Sequence, residues 1–290
     1  MFVKNIAKKL KLNLNQIEDR GIIEAHQMGV TIPKIIHQVY FNYNSMPVEI
    51  QENIAKLKQL NTDWEYKLYD DNDIQSFITA NFPHILKYYN KINPKYGAAK
   101  ADLFRYLLMY KIGGVYLDIK STISRPLNEI IQSDDQYILG HWIYAHNPVS
   151  RHSCIDNLNP NGEFQQWHII CVKGHPFLKA TIENVCKNID LYNPLFHDVG
   201  MMGVLRVTGP IAYTLSILPI QHLYRNRVGF DIDLGLVYSV FSNNLDAHKP
   251  LFKWHYHSLE ESVVTQPRLI QLFFPIIRRL KNKLKNKAFN

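Results

Sequence analysis

One junction limits the folds open to this chain more than any other feature. A helix-tolerant run from Ala98 to Ile112 meets the pair Gly113-Gly114, and then the apolar run Val115-Tyr116-Leu117 closes on Asp118. Leu103, Leu107 and Tyr110 recur at three- and four-residue spacing, which predicts a helix with a buried stripe. Paired glycines end such a helix, because the backbone needed beyond a helix C-terminus is open to a residue without Cβ. A helix turning straight into a buried strand belongs to α/β architectures.

The rest of the chain repeats that alternation. Residues 35–41, Ile-Ile-His-Gln-Val-Tyr-Phe, predict a buried first strand, and residues 47–60 a helix with Pro47 in its first turn. Tyr66–Tyr69 predicts a second strand, closed by Asp70-Asp71-Asn72-Asp73 as a cap for the next helix. A strand over Ile169–Val172, a helix over Pro176–Asn188, and a turn at Thr208-Gly209-Pro210 opening a helix through Leu218 complete the pattern. Strands alternating with helices predict a mostly parallel sheet covered on both faces.

With 290 residues and 46% hydrophobic content the chain can bury one large core. The formal charge of +8 is concentrated at the ends. Lys4, Lys8, Lys9 and Lys11 open the chain, and Arg268, Arg278, Arg279, Lys281, Lys283, Lys285 and Lys287 follow Pro267 with no acid among them. Setting those eleven aside leaves 22 of the 33 basic residues against 25 acidic ones, which argues against a nucleic-acid groove through the body. The expected division is a basic N-terminal segment (1–30), a central domain (31–266) and a basic amphipathic tail (267–290). Apolar residues from Leu269 to Ile277 followed by dense cations suit an anionic membrane surface, or else a terminal helix packed on the domain. Three cysteines without metal-like spacing, no apolar leader and no run long enough to span a bilayer give a cytoplasmic expectation, peripheral on the inner face of the membrane.

In an open parallel sheet the ligand crevice lies beyond the carboxyl ends of the strands, and Asp118 is the first polar residue there. Asp102 and Arg105 share a face of the preceding helix, and the Gly-Gly turn folds that face back onto the strand bearing Asp118. Spacing alone leaves two readings open, a polar site or a surface ion pair beside a capping aspartate.

The stretch Ala98-Ala99-Lys100-Ala101-Asp102-Leu103-Phe104-Arg105-Tyr106 leading into Gly113-Gly114-Val115-Tyr116-Leu117-Asp118 resembles the sugar-transferase family whose motif is Asp-x-Asp. That family includes yeast initiating α-1,6-mannosyltransferases, bacterial capsule and lipooligosaccharide transferases and, more distantly, clostridial glucosylating toxins. Ile32-Pro33-Lys34-Ile35-Ile36-His37-Gln38, Trp64 to Asp71, Gly174-His175-Pro176-Phe177, Thr208-Gly209-Pro210 and Trp254-His255-Tyr256-His257-Ser258 resemble further motifs of the family in the same order.

The resemblance implies a GT-A fold, a Rossmann-like sheet flanked here by basic amphipathic ends, and transfer of a hexose from a UDP- or GDP-sugar with retention of anomeric configuration. The implied acceptor is a glycan or glycolipid in surface polysaccharide or lipooligosaccharide synthesis; a toxin-like protein transferase and a catalytically silent nucleotide-sugar or glycan-binding protein are the alternatives. It assigns His37, Val39, Tyr40, Gln166, His255 and His257 to the donor side, with Tyr40 offering a face to the base. Asp102 would meet sugar or ribose hydroxyls, Arg105 would either support Asp102 or reach a sugar hydroxyl or phosphate, and Asp118 would be the first motif aspartate. Lys120 stands where the family has its second aspartate, a ligand of Mn2+ or Mg2+. Three readings follow: Lys120 itself meets the diphosphate, a metal binds through Asp118 and a histidine such as His257, or the chain binds without catalysing. A glycosidase would need two facing carboxylates, which the sequence does not identify.

Overall fold

The computed structural model describes residues 21–41, 46–142, 162–241 and 259–267. Strand β1 (Ile35–Val39) leads through helix α1 (Val48–Leu60) to strand β2 (Glu65–Tyr69), which lies parallel to it from Ile35 beside Glu65 to Val39 beside Tyr69. Helix α2 (Asp71–Asn81) starts in a reciprocal cap. The Asp70 carboxylate accepts from the Asp73 amide at 2.9 Å and the Asp73 carboxylate accepts from the Asp70 amide at 3.0 Å, satisfying two amides that a helix start leaves without partners. A short turn and helix α3 (Leu86–Lys91) then lead into helix α4 (Gly97–Lys111).

Helix α4 is the spine of the domain. Leu103, Phe104, Tyr106, Leu107, Leu108 and Met109 are all fully buried, so it lies inside the molecule with apolar contacts around most of its girth. It ends at Gly113, whose amide donates to the Met109 carbonyl at 2.9 Å. Gly113 has φ +75° and Gly114 φ +101°; a Cβ would stand 2.5 Å from the Lys173 amide nitrogen in the first case and 2.6 Å from the Ile35 carbonyl in the second. Both glycines are therefore required twice, by conformation and by space.

Strand β3 (Gly114–Leu117) follows, then β4 (Thr122–Ile123), α5 (Leu127–Ile130), β5 (Tyr137–His141), β6 (His168–Cys171), α6 (Pro176–Asp190), α7 (Pro194–His197), α8 (Gly200–Val207), α9 (Pro210–Ile217), β7 (Arg227–Phe230) and β8 (Leu236–Val237). The main sheet runs β2-β1-β3-β6-β5-β7, and β4 pairs with β8 as a separate ribbon. All neighbours in the main sheet are parallel except those of β6, which runs opposite to β3 and β5. The expectation of an α/β, mostly parallel sheet is met, with one reversed strand that the sequence pattern did not separate from the others.

Both faces of the sheet are covered. Along β3, Tyr116 enters a cluster with Val39, Ile74, Phe104 and Ile169, while Val115 and Leu117 enter another with Ile36, Leu57, Ile138 and Leu236, the period-two division of a strand buried on both sides. The packed domain begins upstream of the boundary expected near residue 31. Ile23 is buried, the Tyr110 hydroxyl donates to the Glu24 carbonyl at 2.8 Å, and the Gly29 amide donates to the Lys173 carbonyl at 2.8 Å. At the other end, Val264 bridges to Ile92. Residues 1–20 and the basic tail from 268 lie outside the described residues. Among the described residues no helix is long and apolar enough to cross a membrane.

Candidate active site

Asp118 leaves β3 at the edge of the sheet where β1 and β3 end, and its backbone is fixed before its side chain is considered. Its amide donates to the Trp167 carbonyl at 2.7 Å, and its carbonyl accepts from the Ser121 amide at 2.8 Å and from Gln38 Nε2 at 3.1 Å. The Tyr66 hydroxyl in turn donates to Gln38 Oε1 at 2.8 Å. Asp118 to Ser121 is thus a tight turn whose first carbonyl is held from β1 and β2.

Arg105 reaches this turn from α4. Its Nη1 lies 3.0 Å from Asp118 Oδ1 and donates to the Gln166 carbonyl at 2.7 Å, while Nη2 lies 3.1 Å from Asp102 Oδ1. The guanidinium centre stands 4.8 Å from the Tyr116 ring centroid, and the Tyr116 hydroxyl donates to Asp118 Oδ1 at 3.3 Å. Asp102 also accepts from Gln166 Nε2 on Oδ1 at 3.1 Å and from the Thr208 hydroxyl on Oδ2 at 2.8 Å. Tyr106 closes the set by donating to the Thr208 carbonyl at 2.8 Å. Asp102 and Arg105 have side chains 3% and 5% exposed; Asp118, at 26%, is the member that meets solvent.

The electrostatics follow from this burial. Burial pushes the Asp102 carboxyl above its ordinary value, against the opposing pull of Arg105, Thr208 and Gln166. Burial also works against the charge on Arg105, but Asp118, Tyr116 and Asp102 outweigh it and hold the guanidinium more firmly protonated than usual. The Tyr116 hydroxyl is pushed up by burial and stays neutral. A fixed cation between two carboxylates, with only the outer carboxylate open, orients Asp118 toward whatever enters the cleft.

Lys120 occupies the third position of the turn and is buried. Its Nζ donates to the Tyr238 hydroxyl at 2.6 Å and stands 3.9 Å from that ring's centroid. Tyr238 follows β8, and its ring meets Trp142 and Trp167 edge-on at 4.9 and 5.6 Å.

The structure brings together Asp102, Arg105, Asp118 and Gln166, and seats Lys120 on the same turn as Asp118. His37 goes elsewhere. Its ring is directed to the start of β3, where Nε2–H donates to the Gly113 carbonyl at 3.1 Å and Nδ1 accepts from the Tyr69 hydroxyl at 2.9 Å. Burial lowers its pKa to about 4, so it is a neutral fastening of the glycine turn to the sheet. Val39 and Tyr40 are also buried, Val39 in the main core and Tyr40 against Ile50 and Ile119, so the face of Tyr40 expected to meet a base is covered. The next residue, Phe41, is 37% exposed, and a Cβ on Gly97 at the start of α4 would stand 3.9 Å from its ring. His255 and His257, and with them the proposed pairing of His257 with Asp118 on a metal, lie outside the described residues.

Four further residues complete the site: Gln38, Tyr116, Thr208 and Tyr238. Thr208 was visible in sequence as the residue before a Gly-Pro helix start and as part of the Thr208-Gly209-Pro210 motif, without a role of its own, and Tyr238 carried no local signal. Among the described residues no group of three His, Cys, Asp or Glu side chains could hold a metal ion. The carboxylate at the turn is ion-paired with Arg105, and an ammonium stands two residues on. A divalent cation at a nucleotide site is held by one or two carboxylates together with substrate phosphates and waters; at this turn the described carboxylate is Asp118, already ion-paired with Arg105.

Residues 47–137 match the family described as the glycosyltransferase sugar-binding region containing the DXD motif. The chain is 31% identical to inositol phosphoceramide mannosyltransferase 3 of Schizosaccharomyces pombe over 60% of its length and 43% of that protein's. It is 29% identical to the initiation-specific alpha-1,6-mannosyltransferase of Candida albicans over 53% of its length and 42% of that protein's. It therefore spans less than half the length of these curated relatives. Among solved structures, the PaToxG glycosyltransferase aligns with a TM-score of 0.48 at 15% identity, covering 76% of this chain and 78% of that one.

Proposed function

We propose that this chain, whose residues 47–137 match the sugar-binding region of the DXD-motif glycosyltransferases, moves a hexose from a nucleotide-sugar to a glycan or glycolipid acceptor, with retention at the anomeric carbon. The observation that carries the reading is the Asp102–Arg105–Asp118 array at the carboxyl end of β3. Asp118 orients hydroxyls of the donor, Arg105 fixes Asp118, and Asp102, with Gln166 and Thr208, fixes Arg105. Phe41 is the aromatic that offers a face to the base.

In the reaction the bond between the anomeric carbon and the diphosphate oxygen breaks, and its electron pair stays on that oxygen. The acceptor hydroxyl oxygen bonds to the same carbon from the same face, and its proton passes to the departing diphosphate. No separate base is required. Similarity to an inositol phosphoceramide mannosyltransferase and to an initiation-specific alpha-1,6-mannosyltransferase favours mannose as the hexose and an inositol-phosphate sphingolipid as the acceptor to test before a surface polysaccharide. The basic tail would serve such an acceptor by holding the chain at an anionic membrane.

The test is release of UDP or GDP from a panel of UDP- and GDP-hexoses, with and without a glycolipid acceptor, and the anomeric configuration of any product by NMR. Acceptor-dependent release that falls roughly a hundredfold in Asp118→Asn supports the reading, since misplaced substrate loses about that much. Undiminished release in that variant overturns it. Lys120 in place of a motif aspartate favours a second reading, a nucleotide-sugar-binding protein without turnover; donor binding with no release under any condition would select it.

A further inference from the structure

We infer that the Lys120 ammonium, seated by Tyr238, receives the leaving diphosphate at the position where the family's second motif aspartate would bring a divalent metal. The inference rests on the transferase reading above and adds the identity of the charge that meets the leaving group.

The turn that carries Lys120 is held from several sides. The Asp118 carbonyl accepts from Ser121 and Gln38, the Ile119 carbonyl from Asn53 Nδ2 at 3.5 Å, the Lys120 carbonyl from the Val240 amide at 2.8 Å, and the Ser121 carbonyl from Asn53 Nδ2 at 2.9 Å. The Ser121 hydroxyl donates to the Tyr238 carbonyl at 2.8 Å, so the residue that receives the ammonium is tied to the turn that presents it. These bonds come from β1, α1 and the segment after β8. The Lys120 backbone is accordingly placed two residues beyond Asp118 with little freedom.

The side chain is placed with equal care. A lysine on a flexible four-carbon stem ordinarily reaches solvent, yet this one is buried with Nζ both hydrogen-bonded to the Tyr238 hydroxyl and over its ring. The bond to the Tyr238 hydroxyl orients the ammonium on the turn, and the oxygens of a diphosphate are the acceptors that its charge would favour. A divalent ion brought to the same turn would face Lys120 and the Arg105 guanidinium as like charges, with one carboxylate already ion-paired to Arg105. Fixed cations perform at developing phosphate charge what a bound metal performs. When the anomeric C–O bond breaks, the electron pair adds a negative charge to the diphosphate, and Lys120 stabilises that charge without giving up its proton. Tyr238 is a positioning residue that holds the ammonium in line.

The experiment is calorimetric titration of UDP and of GDP into the full chain, once with EDTA and once with MnCl2. One of the two nucleotides is expected to bind with the same affinity in both conditions. Lys120→Met, which keeps the stem and removes the charge, is expected to weaken binding roughly tenfold or more, as loss of a charge-assisted contact does. Lys120→Asp, which restores the family's motif, is expected to bind only with manganese. Tyr238→Phe keeps the ring and is expected to weaken binding severalfold while leaving it indifferent to EDTA. Wild-type binding that requires manganese, or Lys120→Met binding as tightly as wild type, overturns the inference and leaves the transferase reading standing. Failure of both nucleotides to bind in either condition overturns the transferase reading, and this inference with it. The wild-type comparison decides the metal question even if a variant fails to fold.

Discussion

Arg105 Nη1 stands 3.0 Å from Asp118 Oδ1, across the Gly113-Gly114 turn that separates helix α4 from strand β3. The pair ties the best-buried helix to the most exposed carboxylate of the site. Arg105→Ala would leave Asp102 buried without its cation, and removal of one partner of a buried pair costs about 3–5 kcal/mol. Urea denaturation should show that loss, and nucleotide binding should fall with it. Arg105→Lys, which keeps the charge but not the planar fork, should recover part of the stability and little of the binding.

Thr208→Val tests the far side of the same array. The substitution keeps the shape of the side chain and removes the 2.8 Å hydrogen bond to Asp102 Oδ2. A hydrogen bond to a charged group is worth about 1.5–3 kcal/mol, and the urea midpoint should fall by an equivalent amount. Turnover should drop further than donor binding, because the change loosens Arg105 through Asp102 without touching Asp118.

Gly114→Ala should be among the most damaging single-methyl changes in the chain. The left-handed backbone at φ +101° and a Cβ 2.6 Å from the Ile35 carbonyl act together, and strain of this kind costs on the order of 1–3 kcal/mol before any clash is counted. The parallel pairing of β1 with β3 would have to shift, and Asp118 with it. A thermal melt and a donor-binding titration on the same sample would detect both effects; an unchanged melt would contradict the geometry.

Acid should destabilise the fold through its buried imidazoles. His37 takes a proton near pH 4 when folded and near 6.5 when unfolded, and His168 and His175, also buried, are lowered to about 3. The unfolded chain binds those protons first, so the stability these rings contribute is complete above pH 6.5 and is lost as the pH falls toward 4. Each ring adds up to about 1.4 kcal/mol per pH unit within its window. Asp102, with its carboxyl pushed up by burial, takes its proton in the fold first and opposes the trend at the acid end. Chemical denaturation at several values from pH 7.5 to 4.5 would measure the slope, and His37→Gln should reduce it.

Phe41→Ala should leave stability nearly unchanged, because the ring is partly exposed, and should weaken nucleotide binding. Stacking of a base on an aromatic side chain is worth about 1–3 kcal/mol, so a rise in donor KM of roughly tenfold with little change in kcat is expected. The same change at Tyr40 should instead lower the melting temperature, since that ring packs against Ile50 and Ile119.

The elements that could be read from sequence were those whose signal is local. Helix α4, its double-glycine end and the strand to Asp118 are contiguous, and the spacing of Asp102 and Arg105 already put both on one face. Strands β5 and β7 were not legible: Tyr137–His141 is buried throughout and shows no alternation, and Arg227–Phe230 contains a charge and a glycine. Their identity comes from pairing with each other and, for β5, with β6. The missed site residues have the same cause. Thr208 meets Asp102 across 106 positions and Tyr238 meets Lys120 across 118, distances over which periodicity carries no information. Tyr40 and Phe41 are neighbours in the chain, and only their packing distinguishes a core ring from a partly exposed one.

The reversal of β6 separates two properties that an all-parallel sheet would couple. Where every strand runs the same way, the edge beyond the strand ends is furnished only by chain that is leaving the sheet. Here the chain arrives at that edge through Gln166 and Trp167 on its way into β6, so an incoming segment supplies the Gln166 side chain to Asp102 and the Trp167 carbonyl to the Asp118 amide. Register from His168 to Cys171 is set by β3 and β5, not by what precedes it. The ion array is thus held by Gln166, Trp167 and the paired strands, so a change in the number or kind of residues ahead of Glu163 leaves its geometry standing.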